Sequence, residues 1–167
     1  KECCLMGGLR VSGAVVWYCL RPCLVVRGES QTLAIVPAEK NMEFSIHFIH
    51  SVQKTPVLEN LHVNEQQDGF VLDSTKYQSF GVGLPFLASE GSFHEEGDYF
   101  VLDGMQRSFP SLSLRPGIGT ELTLWIQGKE YRLYELVPIG SRVDLDLAPY
   151  YKRWSAYFSE RDEANDG

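Results

Sequence analysis

Met42, Phe44, Ile46 and Phe48 alternate with Glu43, Ser45 and His47, and Val57, Glu59, Leu61 and Val63 alternate with Leu58, Asn60 and His62. A period of two is the signature of a strand with one buried face. His50 continues the apolar phase of the first stretch, and Glu59 sits inside that of the second. One imidazole and one carboxylate therefore fall on faces expected to be buried. Paired as a hairpin around a loop from Ser51 to Pro56, with Ile46 opposite Leu61 and Phe48 opposite Glu59, the strands place His50 diagonally beside Glu59. At that spacing the two side chains can meet.

The rest of the pattern is also that of short strands. Leu24 to Arg27 and Thr32 to Val36 read as a hairpin around Gly28, rich in β-branched residues. Gln66-Gln67-Asp68-Gly69 signals a turn, and Phe70 to Phe80 a long strand with one face exposed. Gly81-Val82-Gly83-Leu84-Pro85 breaks that strand, because glycine permits backbone angles denied to other residues and proline removes a ladder donor. It lacks the lysine and hydroxyl of a phosphate loop. Tyr99 to Leu102, Leu112 to Arg115, Glu121 to Ile126, Tyr131 to Leu136 and Val143 to Leu147 follow as strands. They are separated by Asp103-Gly104, Pro116-Gly117, Gln127-Gly128 and Pro138 to Gly140. No stretch before Tyr150 keeps a helical period over three turns. The expected fold is all-β, one antiparallel sandwich or barrel-like domain over 24–149.

The two ends differ from this domain. Residues 1–23 hold an apolar stretch from Val11 to Leu20 between Arg10 and Arg21, about half the roughly 20 residues that span a bilayer but of signal-sequence length. It reads either as an export or anchor remnant or as a buried N-terminal segment. Over 150–167, Tyr151, Trp154, Tyr157 and Phe158 suit one side of a short helix before a polar tail.

Charge removes one class of partner. The formal net charge is -7, and lysines and arginines are scattered, so the basic patches that grip nucleic acid are missing. Cys3, Cys4, Cys19 and Cys23 all precede Leu24, so the β-rich domain holds no internal disulfide and no Cys-x-x-Cys pair for zinc. Nothing in the sequence calls for a cofactor, and nothing in it reports an oligomeric state.

Candidate chemistry gathers at His50-Ser51-Val52-Gln53-Lys54-Thr55-Pro56-Val57 with Glu59. Ser51, Lys54 and Thr55 supply two hydroxyls and an ammonium for a small carboxylate, with Tyr77 and Gln78 as a second wall. Against this stands a turn in which the hydroxyls bond their own backbone, Lys54 points to water, and His50 and Glu59 lock the hairpin. A hydrolase would use Ser51 as nucleophile, His50 as base and Glu59 as orienter, but neighbouring strand residues point to opposite faces and no nucleophile elbow surrounds Ser51. A divalent metal would draw on His47 and His50 with Glu59 or His62, or on His94 with Glu95 and Glu96. The first set is split between two faces, and the second reads as a polar loop.

The run from His50 to Val57 with Glu59, followed by Tyr77-Gln78-Ser79-Phe80-Gly81-Val82-Gly83-Leu84-Pro85, resembles the bacterial domain of unknown function DUF1850. That family typically shows His-Ser-Val-Glu-Lys-Thr-Pro-Val and an aromatic-Gly-x-Gly-Leu-Pro segment. Pro56, Gly81, Gly83, Leu84 and Pro85 are thus its structural motif in this chain. The likeness runs from about Leu24 to about Pro149 and includes Val36-Pro37 and the Leu136 to Gly140 step. Gln53 and Leu58 depart from it, standing where the family carries acidic residues. The resemblance implies an exported or membrane-tethered protein on the extracytoplasmic, periplasmic face of a bacterial inner membrane. Such proteins are often encoded beside TAXI-type tripartite (TRAP) carboxylate transporters, so an accessory role with transporter subunits as partners is the expectation. The resemblance brings no established activity, so a binding accessory, an enzyme and a purely structural interaction domain remain distinct expectations.

Overall fold

The computed structural model describes residues 13, 16, 17, 19–78 and 91–151. Over the described residues of 21–151, eleven strands and one short helix are assigned. They are β1 (Pro22–Gly28), β2 (Thr32–Pro37), β3 (Glu43–Ile49), β4 (Pro56–Val63), β5 (Phe70–Tyr77), β6 (Ser92–Glu96), β7 (Tyr99–Phe109), β8 (Leu112–Leu114), β9 (Thr123–Ile126), β10 (Lys129–Arg132), α1 (Leu133–Leu136) and β11 (Val143–Pro149). Two antiparallel sheets result, a four-stranded one ordered β2-β1-β11-β8 and a seven-stranded one ordered β10-β9-β3-β4-β5-β7-β6. Neither closes into a barrel, so of the two expected all-β forms the sandwich is the one observed.

The core is where the two sheets face each other. Leu24, Val26, Val143 and Leu145 from the smaller sheet meet Phe44, Ile46, Leu61, Val63, Phe70, Leu124 and Ile126 from the larger. β1 is central in its sheet and buries four successive residues from Cys23 to Val26, which is why it reads as a continuous apolar run rather than an alternating one. β3 keeps strict alternation, with Phe44 and Ile46 inward and His47 on the open face. β9 and β10 join through Gln127 and Gly128, both at positive φ. That is the two-residue turn whose twist matches a hairpin.

Three expectations are corrected. Tyr131 to Leu136 is not one strand, because β10 ends at Arg132 and the chain turns into α1. Leu133 and Val137, one helical turn apart, are thereby driven into the core. Asp103-Gly104 does not end a strand. β7 runs on to Phe109 and absorbs Gly104, at φ 70°, in a bulge where the β5 register shifts between Leu72 and Ser74. Ser92–Glu96, predicted only as polar chain, forms the edge strand β6, exposed along its whole length. The expected segments at Gly81, Gly83, Leu84 and Pro85 and at Trp154, Tyr157 and Phe158 lie outside the described residues.

Near the N-terminus, residues 13, 16, 17, 19 and 20 are helical, and among the described residues no helix is long and apolar enough to cross a membrane. Cys19 is a free thiol.

Candidate functional site

The hairpin loop is built by His50. Its backbone N–H donates to the Thr55 carbonyl at 2.8 Å, and its own carbonyl accepts from the Lys54 N–H at 2.9 Å. The imidazole closes the turn from inside, with Nδ1 accepting from the Val52 N–H at 3.3 Å and the Gln53 N–H at 3.2 Å. These are the bonds an Asn or Asp side chain makes in an Asx turn. Lys54 turns the chain back with φ 55° and stands exposed, as does Ser51. Here the His-Ser-Val-Gln-Lys-Thr run acts as a turn module. The amides of Val52 and Gln53 face the imidazole and not a ligand.

The hairpin register differs from expectation by two residues. Ile46 stands opposite Glu59, Phe48 opposite Val57 and Ile49 opposite Pro56. A two-residue shift leaves every strand side chain on its expected face, but His50 lies beyond the last pair of the ladder, Ile49 with Pro56, and four positions of sequence separate it from Ile46, the partner of Glu59. The pair is not brought together. Glu59 lies between Ile46 and Thr75, and no hydrogen bond or ion pair ties its carboxylate to another described residue. Burial pushes its pKa up. Tyr77 is also on the inner side, opposite Val57 and Phe100, with its ring 5.9 Å from that of Phe100. Burial raises its phenol pKa. Gln78 is half-buried just past the end of β5. The expected carboxylate cradle is thus split between an exposed turn carrying Ser51, Lys54 and Thr55 and an inner face carrying Glu59 and Tyr77.

The hydrolase constellation fails for the same reason, since Nδ1 of His50 holds loop amides and Glu59 does not orient it. Among the described residues no three His, Cys, Asp or Glu side chains converge as a metal site requires. His62 instead pairs with Asp73 at 2.7 Å, and His94 faces Asp103 at 3.7 Å.

Among the described residues, one concave feature lies across β3, β4 and β9, and a second, of about 590 Å³, is bounded by Glu43, Ser45, Asn60, Asp73 and Gln127. The first, a groove of about 540 Å³, crosses the open face of the larger sheet, and Ile49 and Pro56, the residues flanking the turn module, close one side of it. The register aligns Thr123, His47, Leu58 and Lys76 in one row across β9, β3, β4 and β5. Lys76 Nζ donates to Glu96 at 2.7 Å and sits 4.8 Å from the centre of the Tyr99 ring. At the other end the Trp125 ring, 37% exposed, leans on His47 with ring centres 5.9 Å apart. Ser45 Oγ is in hydrogen-bond contact with His47 Nε2 at 3.0 Å. Desolvation lowers the His47 pKa from the ordinary imidazole value, against the opposing pull of Glu130. Glu130 is held in turn by Arg132 at 3.0 Å. The result is an apolar and aromatic floor with an ammonium at one end and Glu121 and Glu130 at the other.

Among the described residues, Pro56 and Val57 of the run from His50 to Val57 line this groove, and His47 does so outside the metal role considered for it. Leu58, Lys76 and Trp125 were missed as site residues. Alternation already puts His47, Leu58 and Lys76 on faces opposite the apolar phase, but only the register lines them up.

Comparison with protein families matches the chain over residues 44–133 to the model for a domain of unknown function, DUF1850. Neither curated proteins nor solved structures give a match. The matched span covers more than half of the chain and runs from β3 through the turn module and the groove strands to the first residue of α1. The chain belongs to the DUF1850 family.

Proposed function

We propose that this protein is a non-enzymatic binding module, tethered on the extracytoplasmic face of a bacterial inner membrane as an accessory to a TAXI-type TRAP carboxylate transporter. A small carboxylate is its ligand, held in the open-face groove rather than in the turn from Ser51 to Thr55. What supports a binding role above all is the groove, in which one ammonium, Lys76, stands at the end of an apolar and aromatic floor. Such a mixture of apolar lining and few polar groups is typical of small-molecule sites.

Two surfaces suit the tethered, partnered arrangement. Val16, Trp17 and Leu20 are more than half exposed, and the Arg21 guanidinium lies 4.7 Å from the centre of the Trp17 ring. Trp and Arg beside apolar side chains are a membrane-interface combination. At the far end of β1, neighbouring loops display Val52, Ile118 and Ile139 to solvent. Those loops are tied by Ile49 N–H to the Thr120 carbonyl at 2.6 Å and by Gly140 N–H to the Pro116 carbonyl at 2.7 Å. This is the end a transporter subunit would meet.

The test is a thermal-shift titration of the full chain with mono- and dicarboxylates, on wild type, Lys76→Gln and Lys54→Ala. A ligand at a hundred times its Kd adds about 2.7 kcal/mol, a shift of several degrees in a domain of this size. The shift is expected in wild type and Lys54→Ala and lost in Lys76→Gln. Loss in Lys54→Ala alone would move the site back to the turn, and no shift in wild type would remove the carboxylate.

A further inference from the structure

Granted that the groove is the ligand site, we infer that it selects aliphatic monocarboxylates of medium chain length, which lie across the strands with the carboxylate on Lys76 and the chain running over Leu58 and His47 to Trp125.

The row Lys76, Leu58, His47, Thr123 crosses four adjacent strands. Three inter-strand steps of about 4.8 Å put its ends about 14 Å apart, far longer than acetate or succinate can use. The middle of the row offers a Leu side chain and an imidazole whose hydrogen-bond contact is to Ser45, so nothing there demands a polar ligand group. Trp125, part-exposed against His47, supplies an aromatic surface where the chain ends.

The charges give the row a direction. Lys76 is the cation, and its partner Glu96 is 65% exposed at the side chain, free to turn to water when a ligand carboxylate takes its place beside the ammonium. Glu121 and Glu130 line the opposite end. A carboxylate arriving there meets Glu121, Glu130 being already paired with Arg132, so a monocarboxylate binds in one orientation and a dicarboxylate of equal length is disfavoured. Selectivity for chain length and against the second acid follows from one geometry.

The experiment is a titration of the full chain with butanoate, hexanoate, octanoate, octanedioate and octylamine below their micellar range, read by tryptophan fluorescence and by thermal shift. Trp125→Phe assigns the fluorescence signal. Each methylene buried is worth about fourfold in affinity, so Kd is expected to fall steeply from butanoate to octanoate. Octanedioate should bind at least tenfold more weakly than octanoate, and Lys76→Gln should weaken every acid. Leu58→Ser, at the first step from Lys76, should weaken butanoate and octanoate alike. Carboxylate binding that needs Lys76 but ignores chain length would overturn this inference and leave the groove as the site. Octylamine binding as tightly as octanoate would overturn the assignment of the head group. Absence of any binding would take down both the inference and the site.

Discussion

Ile46 and Glu59 face each other across the β3–β4 ladder, with Thr75 on the far side of Glu59. That pairing separates Glu59 from His50 and turns an expected catalytic or ligand pair into two unrelated features, a turn-closing imidazole and a carboxyl on the core side of a sheet.

Glu59 should make stability depend on pH in a definite direction. Desolvation raises its pKa in the folded chain above 4.5, so between the unfolded and folded pKa values the folded state binds more protons. Its contribution is most favourable below the unfolded value and is lost as pH rises through the folded one. Glu59→Gln is therefore expected to raise Tm more at pH 8 than at pH 4. Equal effects at both pH values would mean that the carboxyl is not desolvated.

His50 should act as an acceptor for its own loop. Removing it leaves the Val52 and Gln53 amides without their partner and is expected to cost about 1 kcal/mol. His50→Asn, which can accept the same kind of bond, should recover part of the loss. Urea denaturation of wild type, His50→Ala and His50→Asn measures both steps. If Asn is no better than Ala, the imidazole matters for something other than closing the turn.

Leu133 opens α1 with 0% of its surface exposed and joins the core cluster. Leu133→Ala should destabilise by about 2–5 kcal/mol, whereas Leu136→Ala, on the exposed side of the same turn, should change stability by less than about 0.5 kcal/mol. Chemical denaturation of the two variants measures the difference.

The antiparallel sandwich was legible because alternation in β3 and β4 and the turn signals at Gln67, Gln127 and Gly128 are local features. The register was not, since a shift by two residues preserves every face and the hydrophobic pattern cannot resist it. That ambiguity hid the groove, which exists only when His47, Leu58, Lys76 and Thr123 fall in one row. α1 was illegible because a single turn is too short to show a period. β6 was illegible because an edge strand exposed at every position has no buried phase to read. The run from His50 to Val57 was legible as a special loop, and the use of its side chains was not. Its imidazole, hydroxyls and ammonium suggest a ligand, while the structure spends the imidazole on the turn itself.

The most direct measurement is a map of amide and side-chain NMR shifts during titration of the isotopically labelled chain with octanoate. Binding in the groove predicts changes at His47, Leu58 and Lys76 and at the Trp125 indole N–H, with Ser51 and Lys54 nearly still. Changes confined to the turn from Ser51 to Thr55, or no changes at all, would contradict the assignment of the groove as the site.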